Sequence, residues 1–368
     1  MIPFKYKSKQ WEKPIEIKIS PLEKSFQVFV GFTAENDNFT KNKCVVIKIC
    51  PDFFKKQYEN SVHLLNKLKE VDPKNEYFVN LIDYGEFDES SFSVPFRENA
   101  IDRFGKSFDE SNSYISGEGY LTIMELGERD LEEELNKVAE LSLEKIKTML
   151  KDILKPLMEF HKFGIHLDFK LKNLIVSART EEELPKMEEK KRRKGNKAKE
   201  EKAKEEKERV KTFNWEEKVI KLIDFDGSVQ YSEGQQKGKV PHNFMHCTRK
   251  FAAPELLQNL IDGRTIYHEL SNGKEVYVEV TPKMDIWSAG IIILHNFLSD
   301  WNKTPEIAIL VVNMLSIDPE KRMSAKGVID YLEGKCKPKE YEQKPKKIEL
   351  FGDKAFANIR TQLALVLA

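Results

Sequence analysis

The sequence predicts an α+β protein of two lobes, a small β-rich lobe followed by a larger, mainly helical one. Two patterns carry this reading. From Ile15 to Ile49 short β-branched and aromatic runs are broken by polar turns, the mark of antiparallel strands. Beyond Leu131 the apolar residues recur at helical spacing instead. The length, 368 residues, is enough for one large domain or two packed lobes and excludes a small stapled module.

The elements follow in order. Phe26 to Val30 and Cys44 to Ile49 read as strands of a small sheet. Phe53 to Lys69 carries Phe54, Tyr58, Val62, Leu65 and Leu68 at helical spacing and predicts one main helix packed on that sheet. Further strands are expected at Tyr77 to Tyr84 and Tyr120 to Glu125. Leu141 to Phe163 predicts a long amphipathic helix, and Thr281 to Leu298 and Pro305 to Leu315 predict helices rich in Ile, Leu and Val. In such an arrangement ligands usually sit in the cleft between the lobes.

Three stretches fit neither lobe. Glu86 to Gly119, rich in Ser, Asp, Glu and Phe, predicts a long surface loop. Glu181 to Val210 is almost entirely Lys, Glu, Arg and Ala, with opposite charges often three or four apart. That pattern favours a solvated surface insertion over a dedicated binding arm. In Gly263 to Thr281, Asn272-Gly273 between alternating runs predicts a hairpin turn. The expected organisation is a first lobe over 1–126 with its loop at 86–119, and a second over 127–335 interrupted by a charged insertion at 177–216 and a hairpin at 263–281. A tail occupies 336–368.

With 61 basic and 61 acidic side chains, no global field points to nucleic acid or a membrane surface, so neither is expected as a partner. Cys44, Cys50, Cys247 and Cys336 form no Cys-x-x-Cys pair, which fits reduced thiols and a cytoplasmic or nuclear protein. The N-terminal residues lack the apolar stretch of a signal peptide, and the longest apolar segment, Ile286 to Leu298, is interrupted by Ser, His and Asn. A soluble protein is expected.

Chemistry concentrates in two segments: Gly-Ile-His-Leu-Asp-Phe-Lys-Leu-Lys-Asn-Leu-Ile-Val at 164–176, and Val-Ile-Lys-Leu-Ile-Asp-Phe-Asp-Gly at 219–227. Phosphoryl transfer from ATP needs a carboxylate to orient the attacking hydroxyl, a cation on the transferring phosphate, and oxygen ligands for magnesium. Asp168, Lys170, Asn173 and Asp224 are a set of that kind.

These motifs resemble the eukaryotic protein-kinase family, of serine/threonine or dual-specificity type, whose catalytic loop reads His-Arg-Asp-x-Lys-x-x-Asn and whose metal motif reads Asp-Phe-Gly. Order and spacing extend the likeness over nearly the whole chain. Val-Val-Ile-Lys ends at Lys48, Ala-Pro-Glu ends at Glu255, Asp-Ile-Trp-Ser-Ala-Gly begins at Asp285, and Asp-Pro-Glu-Lys-Arg ends at Arg322.

The resemblance implies the bilobal protein-kinase fold, ATP and Mg2+ (or Mn2+) as cofactors, and a protein substrate. By it Asp168 accepts the hydroxyl proton, Lys170 neutralises the γ-phosphate, Asn173 binds one metal, and Asp224 bridges metal and phosphates. Lys48 holds the α- and β-phosphates, Met124 is the gatekeeper, and Glu125 and Leu126 form the hinge that meets adenine. Glu255 and Arg322 form a largely buried ion pair, scaffold rather than chemistry. Thr248 matches the threonine by which serine/threonine kinases bond the catalytic aspartate and lysine, so Ser or Thr hydroxyls are the expected acceptors.

The chain departs from the family in five places. Pro-Leu-Glu-Lys-Ser-Phe-Gln-Val-Phe-Val aligns with the glycine-rich loop and puts Leu22, Lys24 and Gln27 where glycines belong, so the nucleotide cover is altered. The helix after Lys48 places Ser61, not a glutamate, opposite that lysine; Glu59 is the nearest acid but is about 200° round the helix. Leu167 replaces the arginine that in many members reads a phosphate on the activation loop. Asp226 replaces the metal-motif glycine, with Gly227 beside it to relieve the strain. The short stretch between Leu298 and Pro305 leaves the substrate-docking helix shortened or missing.

Retention of Lys48, Asp168, Lys170, Asn173 and Asp224 together favours an active serine/threonine-type kinase, since clustered charge is expensive when unused. A pseudokinase, holding nucleotide without turnover, is the alternative, supported by the missing glycines and by Ser61. A small-molecule phosphotransferase of the aminoglycoside type ranks lowest, because it is not expected to carry Ala-Pro-Glu or Asp-x-Trp-Ser-x-Gly.

Overall fold

A computed structural model describes residues 2–10, 14–21, 28–33, 44–88, 91, 118–136, 142–178, 218–231, 237–241, 247–261, 277–297 and 305–336. The chain divides into two compact units, Met1–Gly127 and Glu128–Ala368.

The first unit is a closed antiparallel barrel of six strands: β1 (Ile2–Ser8), β2 (Pro14–Pro21), β3 (Val28–Thr33), β4 (Cys44–Pro51), β5 (Leu81–Phe87) and β6 (Gly119–Glu125), in the order β1-β2-β3-β4-β6-β5. β1 closes it by pairing Lys7 with Glu86 and Ser8 with Gly85. The approach is possible because residue 85 is glycine: a Cβ there would lie 2.2 Å from the Lys7 carbonyl oxygen. Closure is fixed by a buried polar cluster in which the Tyr6 and Ser8 hydroxyls donate to Asp83 at 2.5 and 2.8 Å.

Alternation along β4 sends Val45, Ile47 and Ile49 into the barrel, where they pack with Tyr6, Phe87, Leu121 and Ile123. Lys48 therefore stands on the opposite face, in register between Val28 and Thr122. The helix α1 (Lys55–Val71) packs Tyr58 and Val62 against Tyr120, with the Tyr58 and Tyr120 rings stacked at 4.6 Å. It buries Ser61 and leaves Glu59 exposed.

One boundary differs from the sequence expectation for a physical reason. The strand expected at Tyr77 begins only at Leu81, because the buried Asp72 carboxylate captures the N–H groups of Glu76, Tyr77 and Phe78 at 2.8–3.1 Å and folds them into a turn. The strand expected over Phe26 to Val30 is described from Val28 and continues to Thr33. β1 lay outside the expected sheet altogether. The substituted glycine-rich loop at 22–27, most of the surface loop at 86–119 and the Asn272-Gly273 turn lie outside the described residues.

The second unit is mainly helical: α2 (Leu131–Leu135), α3 (Leu143–Phe160), α4 (Pro254–Ile261), α5 (Pro282–Phe297), α6 (Pro305–Met314) and α7 (Ala325–Leu332). Ser142 caps α3 and Ser324 caps α7, each accepting from an N–H of the first turn. α5 is buried on every side from Met284 to Leu294, as expected of a helix apolar all round. Its Gly290 lets Met314 and Leu315 come within 3.0 Å of where a Cβ would stand. No helix among the described residues is long and apolar enough to cross a membrane.

Three small sheets complete this unit. β9 (Leu174–Ala178) pairs with β7 (Arg129–Asp130) and with β10 (Lys218–Leu222); β8 (Gly164–Ile165) pairs with β11 (Val229–Gln230); and β12 (Gly238–Pro241) pairs with β13 (Tyr277–Val280). Because Ala178 is directly opposite Lys218 in the ladder, the charged stretch between them leaves and re-enters the unit at one place. The second arm of the expected hairpin is present as β13, and among the described residues it pairs with β12.

Candidate functional site

The site grows from the turn after β8. There the backbone carries His166 and Leu167 into an extended loop, a 3-10 turn follows at Leu171–Asn173, and β9 leads away. Leu167 adopts the left-handed region, φ 65°, which disfavours a bulky side chain by about 1–2 kcal/mol. Asp285, wholly buried at the start of α5, offsets that cost. Its Oδ2 accepts the His166 N–H at 2.8 Å and His161 Nε2 at 2.9 Å, and its Oδ1 accepts the Leu167 N–H at 2.8 Å. The Tyr231 hydroxyl donates to the His161 carbonyl, and burial together with the Asp285 charge pushes its pKa up to about 12.

Held in this way, the loop presents Asp168 to three donors. Lys170 Nζ reaches Oδ2 at 2.6 Å, Asn173 Nδ2 reaches the same oxygen at 3.2 Å, and the Thr248 N–H reaches Oδ1 at 2.8 Å. Lys170 also donates to Thr248 Oγ1 at 3.0 Å. The carboxylate retains 16% side-chain exposure and the lysine 21%, so both can meet a ligand while their directions are fixed. A second Asn173 Nδ2 bond, to the Asp168 carbonyl at 2.9 Å, orients the amide.

The second segment is tied to the same loop. Ile223 donates its N–H to the Asn173 carbonyl at 3.0 Å, and its own carbonyl faces His166 Nε2 at 2.9 Å. The carbonyl can only accept, so that nitrogen carries the proton. Asp224 follows directly, with φ 64°. Phe225 is buried against Phe160 and His166, ring centroids 5.3 and 5.6 Å away. The strain expected at Asp226 is one residue pair earlier: neither Asp226 nor Gly227 has a positive φ, whereas Asp224 does. A turn closed by the Ser228 N–H on the Phe225 carbonyl, 3.0 Å, accommodates both.

Asn173 and Asp224, brought onto adjoining segments by the bond of Ile223 to Asn173, could hold a hard cation. Both Asn173 Nδ2 bonds go to Asp168, and its amide oxygen accepts no hydrogen bond among the described residues. No three His, Cys, Asp or Glu side chains group together among the described residues. One carboxylate with one amide oxygen is the sparse donor set of an ion such as magnesium, which keeps water and phosphate oxygens as its remaining ligands.

Beyond this core, Arg322 is buried and bidentate on Glu255 at 2.5 and 2.7 Å. It also donates from Nε to the Ser316 carbonyl at 2.6 Å and has its guanidinium over the Trp287 ring. Every part of that fork is used, so its role is to hold the base of α4 to the region after α6. Thr248 begins a turn whose far end, the Phe251 carbonyl, accepts the Ser288 hydroxyl of α5 at 2.8 Å.

Lys48, Met124, Glu125 and Leu126 belong to the first unit. Met124 is half-buried and pairs across the sheet with Val46 and Leu81. The Glu125 carboxylate accepts the Asn80 N–H at 2.9 Å, and its N–H returns a bond to the Asn80 carbonyl. Leu126 is exposed. Sequence reasoning missed His161 and Ile223, whose roles depend on backbone partners far along the chain and leave no residue-type signal.

A family model described as a protein kinase domain matches residues 99–301, more than half of the chain. Among curated proteins none matches it.

Proposed function

The chain belongs to the protein-kinase family, and from that premise we propose that it is an active enzyme that transfers the γ-phosphoryl group of ATP to serine or threonine hydroxyls of proteins. The observation that carries the reading is the Asp168 carboxylate, aimed by Lys170, Asn173 and Thr248. In this mechanism Asp168 orients the acceptor hydroxyl and takes its proton as the oxygen attacks. Lys170, already 2.6 Å from Asp168, places its positive charge where the transferring group gains negative charge. Thr248 accepts from Lys170 and donates to Asp168, keeping the base and the cation in one geometry. Asn173 and Asp224 would hold magnesium, whose charge would offset that of the phosphates. Lys48 is assigned to the α- and β-phosphates, and Glu125 and Leu126 to adenine, on the family resemblance.

Phosphoryl transfer depends chiefly on metal and charge placement, which supports the active reading in spite of the substituted loop glycines. One observation favours a second reading, a nucleotide-holding scaffold: α1 turns Ser61 inward and Glu59 to solvent, so the usual helix glutamate is not supplied. Cys50, Cys247 and Cys336, in no disulfide among the described residues, support a cytoplasmic or nuclear location.

The test is transfer of radiolabelled phosphate from ATP, with magnesium or manganese, to generic protein substrates, followed by phosphoamino-acid analysis. We expect label on serine and threonine, falling by about 10²–10⁴ in Asp168→Asn. Label unaffected by that substitution, or found on tyrosine, overturns the reading. Nucleotide binding without any transfer establishes the scaffold.

A further inference from the structure

Cations of two kinds stand on the loop of Asp168, on the strands paired with β9 and on the turn after Thr248. Lys170 is paired with Asp168 itself, Lys172 is 3.4 Å from Glu132, Arg129 is 3.8 Å from Glu134, and Lys218 pairs with Glu128. Arg249 and Lys250 differ. Both are exposed, and neither makes an ion pair among the described residues. The Lys250 ammonium lies over the Phe251 ring, 5.4 Å from its centroid, which leaves its charge open to a further partner.

Their platform is rigid. The Phe251 N–H closes on the Thr248 carbonyl at 2.9 Å, so Arg249 and Lys250 occupy the two corner positions of a β-turn. At one end of the turn Thr248 is bonded to Asp168 and Lys170; at the other the Phe251 carbonyl is bonded to Ser288 of the buried α5. The Ala252 N–H adds a bond to the Arg249 carbonyl. Two long cationic side chains thus project from a fixed corner one and two residues away from the group that aims the catalytic carboxylate. Arg249 and Asp168 also act with opposite sign on the Cys247 thiol beside them, Asp168 raising and Arg249 lowering its pKa against a larger rise from burial.

We propose that Arg249 and Lys250 select protein substrates in which an aspartate or glutamate lies close to the acceptor hydroxyl. The inference rests on the kinase reading above and names its substrate class. Consecutive Cα atoms are about 3.8 Å apart, and an extended peptide advances about 3.3–3.6 Å per residue, so a carboxylate within about two residues of the acceptor comes within reach of the turn. Guanidinium is suited to it because its planar fork meets a carboxylate through two parallel bonds.

The experiment uses the full chain and a set of short peptides, each with one serine flanked at every nearby position by Asp, Ala, Lys or phosphoserine. Two readouts are taken: peptide binding by fluorescence anisotropy, and kcat/KM for transfer. We expect Asp-flanked peptides to exceed Ala-flanked ones by about fivefold, the product of two partly exposed charge contacts, with Lys-flanked peptides weakest. In Arg249→Gln/Lys250→Gln the Asp-to-Ala ratio is expected to fall to near one. In Arg249→Glu/Lys250→Glu the preference should invert toward Lys, a gain that misfolding cannot produce.

An Asp-to-Ala ratio near one in the wild type, a ratio untouched by either double variant, or a response to phosphoserine without one to Asp overturns the proposal. If no peptide is phosphorylated but the anisotropy preference and its inversion are present, the activity reading fails, and what stands is recognition of acidic segments by this turn without transfer.

Discussion

Leu167 and Asp285 form one unit: the leucine is held at φ 65° with its N–H 2.8 Å from the aspartate's Oδ1. A strained backbone persists only where its surroundings over-determine it. Here the surroundings are a single buried carboxylate that also fixes His166 and His161.

Asp285→Ala therefore leaves three donors without an acceptor, each a loss of about 1–3 kcal/mol when buried. We expect it to destabilise the protein by more than about 3 kcal/mol in urea unfolding, with Asp285→Asn intermediate because one carbonyl oxygen remains. A shift below about 1 kcal/mol for the alanine variant would mean that the loop is ordered by something else.

The barrel closure makes a prediction with a definite sign in pH. Burial raises the pKa of Asp83, while the hydrogen bonds from Tyr6 and Ser8 pull it back down. Because the folded value stays above the ordinary 3.8, the unfolded chain ionises first, and this group's contribution to stability falls as pH rises from 3.8 through the folded value. Tyr6→Phe removes a bond that favours the ionised form. Its cost, about 1.5–3 kcal/mol for a bond to a charged group, is expected in full above the folded pKa and to shrink as pH falls below it. A pH-independent cost in denaturant titrations would show that Asp83 does not ionise in the barrel.

How much of this was legible beforehand depended on where each structure keeps its partners. The long helices were readable because their burial is periodic: Leu141 to Phe163 was expected and Leu143–Phe160 is helical, trimmed by the Ser142 cap. β1 was missed although Lys5, Tyr6, Lys7 and Ser8 alternate exposed and buried, a pattern visible as Phe-Lys-Tyr-Lys, because the run is short; it pairs with β2 beside it in the chain and closes on β5 far along it. Tyr77 to Asn80 looked like strand because its residue types favour one, and only Asp72, a side chain outside the run, prevents it. In the site, motif spacing marked Asp168, Lys170, Asn173 and Thr248. The turn that exposes Arg249 and Lys250 became visible only with the Thr248–Phe251 bond.

The last prediction concerns the stretch between Asp224 and Glu255. An arginine before Asp168 could read a phosphate there, but Leu167 is apolar and buried. Among the described residues of the stretch, backbone pairing supplies order: β12 is joined to β13 from Gly238↔Val280 to Pro241↔Tyr277, with Val240, Val278 and Val280 buried. Gly238 lets β12 lie against β11, since a Cβ there would stand 2.6 Å from Val229 Cγ1. A ribbon of this kind needs no added charge to hold it. Transfer activity is therefore expected to survive exhaustive phosphatase treatment, whereas Gly238→Val, which overpacks the contact at about 1–3 kcal/mol, should lower both the melting temperature and the activity of protein never exposed to phosphatase. Loss of activity on dephosphorylation, restored by rephosphorylation within this stretch, would show that a phosphate and not the ribbon sets its order.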